Sequence, residues 1–227
     1  MMKNSHNKKS DRREFLGCLA AGAATFGLTA FGARVDSDAA ARTAQDVSQL
    51  EGWFSTIKGK HKMVFDAVTA NEGFSVIWSY TFMTTNNHTG TADDELTAMV
   101  VLRSKAIPLA LDDRLWAKYK LGKMFKLVDY ATNAAADRNL FWNPKEGEMP
   151  ESGMSIKALQ ARGAMFCVCE TALTMTSTQY AKSKGADPDE MKKEWIAGIL
   201  PGIQLVPSGV WAVNRAQEHG CSYCSAG

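Results

Sequence analysis

The sequence has almost no net charge. Its formal charge is +2 over 227 residues, and residues 42–227 hold 20 basic and 20 acidic side chains. A neutral chain has no electrostatic footprint for nucleic acid or an anionic membrane surface, so neither is an expected partner. Glycine-rich dinucleotide and phosphate loops, the H-E-x-x-H zinc motif and the C-x-x-C-H haem motif are missing too. Nucleotide, peptidase and c-type haem functions therefore have no motif behind them.

A long, strongly apolar run is also missing. The best candidate, residues 17–33, is rich in Gly and Ala and close to the minimum length for a membrane span. It follows a polar, basic start and the adjacent Arg12 and Arg13. Paired arginines before a weakly apolar run are typical of a twin-arginine export signal. We therefore expect export to the periplasm in a folded state. A membrane anchor, if the signal is not cleaved, and a disordered N-terminus are the alternatives.

The rest of the chain suits one domain. Residues 1–41 are predicted to be the signal peptide and the start of a linker, and 42–59 a linker ending in a short helix. Residues 60–227 are long enough for a single hydrophobic core. No stable membrane span is expected after signal cleavage.

Short apolar runs alternate with longer helix-like segments in this domain. That alternation predicts an α/β fold with a parallel sheet of about five strands and helices on both faces. The predicted strands are 62–68, 96–102, 164–168, 203–206 and a last one around Tyr223. The predicted helices are 73–85, 108–119, 155–161, 170–182 and 209–218. Residues 123–153 fit the alternation poorly and are predicted to be a surface insertion or a partner-facing arm.

Cysteine is scarce, with five in the chain, of which Cys18 lies in the expected signal. Cys169 falls where the predicted strand 164–168 ends and a helix begins. A thiol there lies beside unpaired backbone N–H groups and the positive end of the helix dipole, which stabilise a thiolate. Cys169 is therefore the predicted nucleophile. Cys167 should point to the same strand face, either as a second reactive thiol or as a small buried side chain.

Three segments carry a family resemblance. The Phe-Cys-Val-Cys strand and its helix lie in residues 163–173, a Pro-Gly…Val-Pro-Ser-Gly-Val turn lies in 200–220, and an earlier strand and turn lie in 100–111. Together they resemble the DsrE/DsrF-like family over about residues 60–223. The resemblance implies a flavodoxin-like fold, homo- or hetero-oligomers and a cysteine that carries sulfur as a persulfide. Cys169 matches that cysteine.

The chain departs from the family pattern at two places. Related sequences have His-Gly after the second strand, where this chain has Arg103-Ser104. The C-terminal Gly-Tyr of the family is Gly220-Cys221 here. Any role of the family histidine is therefore lost or taken over by another residue.

The C-terminus carries a Cys-x-x-Cys spacing, Cys221 and Cys224, with His219 just upstream. The spacing suits a disulfide, a redox or sulfur-relay pair, half of a soft-metal site, or two free thiols. If the last strand lies beside the strand of Cys169, the thiols of Cys221 and Cys224 could come within reach of those of Cys167 and Cys169. A separate loop with His88 and the acidic residues 93–95 could bind a divalent cation, although a solvated loop is favoured.

These observations leave three functional hypotheses. The leading one is an exported thiol protein that relays sulfur or reduces disulfides through Cys169, with Cys167 or the C-terminal pair as resolving thiols. Its only expected cofactor is persulfide sulfur on Cys169. A second is a non-catalytic accessory subunit that binds a periplasmic partner protein. A third is a soft-metal binder, with copper held by the cysteines and His219.

Overall fold

A five-stranded parallel sheet forms the centre of the computed structural model, which describes residues 47–151 and 153–227. Its strands are β1 (His61–Thr69), β2 (Leu96–Lys105), β5 (Met165–Cys169), β6 (Ile203–Val206) and β7 (Ser222–Ser225). A separate antiparallel pair is formed by β3 (Val128–Asp129) and β4 (Ala134–Ala135). The predicted signal peptide with Arg12 and Arg13 lies outside the described residues.

Helices cover both faces of this sheet. They are α1 (47–54), α2 (Phe74–His88), α3 (Asp113–Tyr119), α4 (Leu121–Phe125), α5 (Ile156–Ala161), α6 (Glu170–Lys184), α7 (Pro188–Ala197) and α8 (Gly209–Glu218). The predicted α/β, flavodoxin-like architecture is confirmed. The sequence did not lead us to expect α7, although Asp187 caps its first turn and Pro188 occupies its first position.

The strands lie in the order β6-β5-β2-β1-β7. The chain steps from β1 through β2 and β5 to β6 in one direction, then returns to the far side of β1 with β7. Because parallel crossovers are right-handed, the outward steps and the return place their helices on opposite faces. The flavodoxin order, 2-1-3-4-5, would instead put the last strand next to the fourth.

Side-chain alternation along the strands divides the core into two clusters. The larger one lies under α2, α3, α5, α6 and α7 and contains Phe65, Val100 and Phe166. The smaller one lies under α1 and α8 and takes the intervening strand residues, such as Val64 and Val101. Since both faces of each central strand are covered, these strands are continuous apolar runs.

Residues 123–153 contribute to the core, so the expectation of a surface insertion is wrong. Leu127, Leu140 and Phe141 are buried in the larger cluster. The side-chain amide of buried Asn139 donates to the carbonyls of Leu109 and Leu111, both at 2.9 Å. This segment has no apolar period because it buries single side chains from a loop instead of one face of a helix.

The compact unit begins earlier than expected, at Gln49. Leu50, Phe54 and Ile57 are buried in the smaller cluster, so the segment expected to be a linker packs onto the sheet. The predicted helix 108–119 is divided into a 3-10 turn, Ile107–Ala110, and α3. The carboxylate of Asp112 accepts the Leu115 N–H at 2.9 Å and starts α3 afresh.

Candidate functional site

The candidate site lies at the carboxyl ends of the strands. In open parallel sheets, ligands bind beyond these ends, where neighbouring connections leave in opposite directions. The connections from β1, β2 and β5 leave over the larger cluster and the connection from β6 leaves over the smaller one, so that point lies between β5 and β6. Asp66 of β1, Arg103 of β2, Cys169 of β5 and Tyr223 of β7 lie at or near this edge.

Arg103 and Asp66 form a bidentate ion pair. The Arg103 Nε and Nη2 atoms donate to the two Asp66 carboxylate oxygens at 2.6 and 2.8 Å. The Tyr223 hydroxyl donates to the same carboxylate at 3.0 Å. Asp66 is only 3% exposed, so these bonds satisfy a buried charge. They fix the guanidinium group in one orientation.

The bonds to Asp66 raise the pKa values of Arg103 and Tyr223. Hydrogen bonding to Asp66 raises the pKa of Arg103, burial opposes that rise, and negative charge on Asp66, Tyr223 or Cys169 adds to it. The pKa of Tyr223 is raised, chiefly because its hydroxyl bonds to the Asp66 carboxylate. Arg103 is therefore a permanent cation.

Cys169 ends β5 and caps α6. Its Sγ accepts the Ala172 backbone N–H at 3.3 Å, in the place of the usual N-cap oxygen. In the strand register Val168 pairs with Leu102, which places Arg103 level with Cys169 on the adjacent strand. Cys169 retains 6% of its surface exposed. The sulfur thus caps a helix N-terminus, on the strand adjacent to that of Arg103.

The first turn of α8 packs on the stem of Arg103. A Cβ atom added to Gly209 would lie 2.6 Å from the Arg103 Cβ, so only glycine fits there. Pro207, two residues before Gly209, links this turn to α6, because its carbonyl accepts the Thr171 N–H at 3.2 Å and the Thr171 hydroxyl at 2.8 Å. The α8 turn therefore holds Arg103 and the start of α6 in place.

Cys167 is fully buried in the smaller core cluster. Burial, and then the charge of neighbouring Cys169, raise the pKa of the Cys167 thiol far above its ordinary value. It is a small apolar core residue in this environment and is not suited to act as a nucleophile.

The C-terminal cysteines do not face each other. Cys221 packs in the smaller cluster, whereas half-buried Cys224 packs against the larger one on the other side of the sheet. Residues three apart on an extended chain point to opposite faces. Both are free thiols, an arrangement that does not fit a Cys221–Cys224 disulfide. Burial raises the pKa of Cys221 to about 11.

The expected approach of the last strand to Cys169 is wrong. β7 pairs with β1, and both β1 and β2 separate it from β5. Three strand spacings amount to about 14 Å, which is too far for a Cys224 thiol to resolve a bond on Cys169. The expectation had assumed that the last strand lies beside the strand of Cys169.

The other predicted ligands are engaged elsewhere. The His219 ring stacks on Phe54 with centroids 6.2 Å apart. In the loop before β2, Asp93 accepts from Arg162 at 2.9 Å, and this bond is the main cause that lowers the Asp93 pKa. Within the described residues, no group of three His, Cys, Asp or Glu side chains could hold a metal ion.

Two members of the site were missed at the level of sequence. Asp66 interrupts the apolar run Val64-Phe65-Asp66-Ala67-Val68, and a carboxylate inside a buried strand is itself a signal because it must find a partner. Tyr223 gave no such signal. Arg103 was noted only as a departure from the family pattern.

Comparisons with known proteins add little to this geometry. No family model matches the sequence, and no curated protein matches it. One solved structure that is similar to the chain is that of a protein of unknown function, MTH1491, from Methanobacterium thermoautotrophicum. It is 16% identical, and the match covers 73% of this chain and 99% of that one with a TM-score of 0.39. Among the helices that the structure describes, none is long and apolar enough to cross a membrane.

Proposed function

We propose that this protein is an exported sulfur carrier that acts through Cys169. The supporting observation is the position of its sulfur, which caps the 15-residue α6 and lies level with Arg103 at the carboxyl edge of the sheet. The helix N-terminus places positive charge at the sulfur, and the guanidinium group belongs to the adjacent strand. A helix N-terminus stabilises negative charge that forms on a capping group during the transfer.

The chemistry needs no external oxidant. The Cys169 thiolate attacks the outer sulfur of a donor persulfide, R–S–SH, and forms a new sulfur–sulfur bond. The bond between the two donor sulfurs breaks, and the donor leaves as the thiolate R–S⁻. Cys169 then carries the transferred sulfur as a persulfide, which an acceptor thiolate removes by the same displacement. With 6% of Cys169 exposed, the donor must be small or offer a flexible end.

Arg103 takes the place that histidine has in related sequences. Its two hydrogen bonds to Asp66, which also accepts from the Tyr223 hydroxyl, keep the guanidinium fixed, so no reorganisation of this charge accompanies the transfer. We assign Arg103 as a positioning residue that stabilises the anionic sulfur. It does not itself form or break a bond.

Sulfur transfer is favoured over disulfide reduction because a reductase needs a second thiol. Cys167 is buried with a raised pKa, and Cys221 and Cys224 lie on the β7 side of the sheet. A carrier needs only one cysteine. Copper binding loses its support because Cys221 and Cys224 point to opposite faces and His219 stacks on Phe54.

Export, the periplasm and assembly into homo- or hetero-oligomers remain part of the proposal. The paired Arg12 and Arg13 support export. Oligomers and a partner protein rest on the family resemblance. If Cys169 proves inert, the accessory-subunit hypothesis takes the place of the carrier.

The test is persulfide loading of the purified protein. We expect inorganic polysulfide to add one sulfur atom to the reduced protein, seen by intact mass and removed by dithiothreitol. Cys169→Ser should abolish this gain while the domain stays folded, because a serine hydroxyl is a good N-cap acceptor. The matched control is Cys224→Ser, which removes a more exposed thiol and should load normally. Equal loading of the Cys169 variant and the wild type would refute the carrier assignment.

A further inference from the structure

A cavity of about 670 Å³ lies between α3, α4 and α6. Its volume falls within the range of small-molecule sites. It shares no residue with the Asp66, Arg103, Cys169 and Tyr223 site. The role of Cys169 therefore leaves this cavity unexplained.

The cavity wall is positively charged. Lys105, Lys120, Lys123 and Lys184 line it, and no carboxylate does. All four lysines are exposed, and within the described residues none of them forms an ion pair. Because residues 42–227 carry equal numbers of basic and acidic side chains, composition does not account for this cluster of positive charge.

An adjacent cavity provides an internal comparison. It has a similar volume, about 650 Å³, but both charge signs line it. There Glu194 accepts from Lys118 at 2.7 Å and Glu190 accepts from Lys193 at 2.7 Å. In this adjacent cavity, Lys118 and Lys193 are paired with carboxylates, whereas within the described residues the four lysines of the first cavity are not.

The floor of the lysine-lined cavity is aromatic and apolar. The Tyr119 and Tyr180 rings meet edge to face with centroids 5.3 Å apart. The Tyr119 hydroxyl is held by Glu194 at 2.5 Å. Half-buried Met124 and Phe125 pack against the larger core cluster beside them. A flat ring can pack on such a surface while its charged groups reach the lysines.

Lys120 adds an independent observation. It ends α3 with a left-handed backbone, φ 53°, which glycine adopts at lower cost. A lysine side chain is nevertheless present there, and it lines the cavity. A cation near a helix C-terminus also has a purely structural benefit, and the experiment below separates the two roles.

We propose that this cavity binds a small organic anion in which two or more acidic groups are joined to an aromatic ring, the chemistry of a nucleotide. The lysines contact the acidic groups and Tyr180, Met124 and Phe125 contact the ring. This site is independent of the proposed sulfur-carrier function.

The test is calorimetric titration of the full chain with three probes, without divalent cations. ATP carries both the charge and the ring, tripolyphosphate carries the charge alone, and adenosine carries the ring alone. We expect ATP to bind most tightly, tripolyphosphate more weakly and adenosine not measurably. Raising the salt concentration should weaken ATP binding, since screening weakens contacts between exposed charges.

The decisive variant is K120Q/K123Q. It should raise the ATP dissociation constant about fivefold to tenfold, because each lost charge contact weakens binding a few-fold. The matched control is K60Q/K157Q, which removes two exposed lysines outside the cavity and should bind like the wild type. If K120Q/K123Q does not fold, K105Q/K184Q replaces it.

Several outcomes would overturn the proposal. They are no ATP binding by the wild type, equal loss in the cavity and control variants, and equal affinity for ATP and tripolyphosphate. A lower melting temperature of K120Q/K123Q with unchanged ATP affinity would also overturn it, because the lysines would then serve only the helix ends.

Discussion

Asp66 shows how one residue organises the candidate site. Its carboxylate lies inside a strand, 3% exposed, and would be costly without partners. Arg103 and Tyr223 both donate to it, so the requirement to satisfy one buried charge fixes a cation at the carboxyl edge of the sheet. The same cation lies level with Cys169.

The Asp66–Arg103 pair predicts a strong coupling in stability. Arg103→Gln should leave the buried carboxylate unpaired and lower the free energy of unfolding by about 3 kcal/mol. Adding Asp66→Asn to that variant should recover most of the loss, because the unpaired charge is then gone. Urea denaturation of the wild type, both single variants and the double variant measures the coupling. Additive losses in the two single variants would show that the ion pair contributes little.

The role of a single residue could be predicted from the sequence only where it depends on residues close to it in the chain. The place of Cys169 at a strand end and helix start followed from the apolar run before it and the helical pattern after it. Its position level with Arg103 depends on which strands are neighbours. The positions of Cys221 and Cys224 depend on strand pairing too, and the assumption that the last strand lies beside the strand of Cys169 placed them wrongly.

At the scale of elements, the sequence predicted segments that have a regular apolar period. It did not predict the burial of segments that contribute only single side chains to the core. The predicted strand 203–206 and helix 209–218 match β6 and α8. Residues 123–153 bury Leu127, Leu140 and Phe141 without a helical or strand period. Such a segment cannot be told from a surface loop by its pattern alone, since its burial is set by tertiary contacts.

The first turn of α8 yields a prediction at this scale. Gly209→Ala would place a Cβ 2.6 Å from the Arg103 Cβ, so either α8 or Arg103 must move. We expect lower stability, by about 1–3 kcal/mol as for an overpacked site, and slower persulfide loading of Cys169. Thermal unfolding and intact mass after brief polysulfide exposure measure the two effects.

The matched control for that change is Gly52→Ala. Gly52 lies in α1, and an added Cβ meets nothing within 4 Å. This substitution should leave loading unchanged and stabilise the helix by up to about 1 kcal/mol. If Gly209→Ala behaves like Gly52→Ala, the α8 turn does not hold Arg103 in place.

At the scale of the whole molecule, the topology gathers the site. The outward steps to β6 and the return to β7 run over opposite faces, so the switch point lies between β5 and β6, next to Cys169. Asp66, Arg103 and Tyr223 meet across β1 and its two neighbours. The alternation of strands and helices predicted the layers of this fold. It could not predict the strand order, because every order of parallel strands joined by helices has a similar sequence pattern.

The proposed export of the chain is the last prediction. The apolar run after Arg12 and Arg13 is rich in Gly and Ala, so recognition should depend on the paired arginines more than on hydrophobicity. R12K/R13K keeps both charges and should leave the full-length precursor in the cytoplasm, measured by fractionation and immunoblotting. K8R/K9R is the matched control and should be exported normally. Periplasmic accumulation of R12K/R13K equal to the wild type would remove the basis for assigning Cys169 to the periplasm.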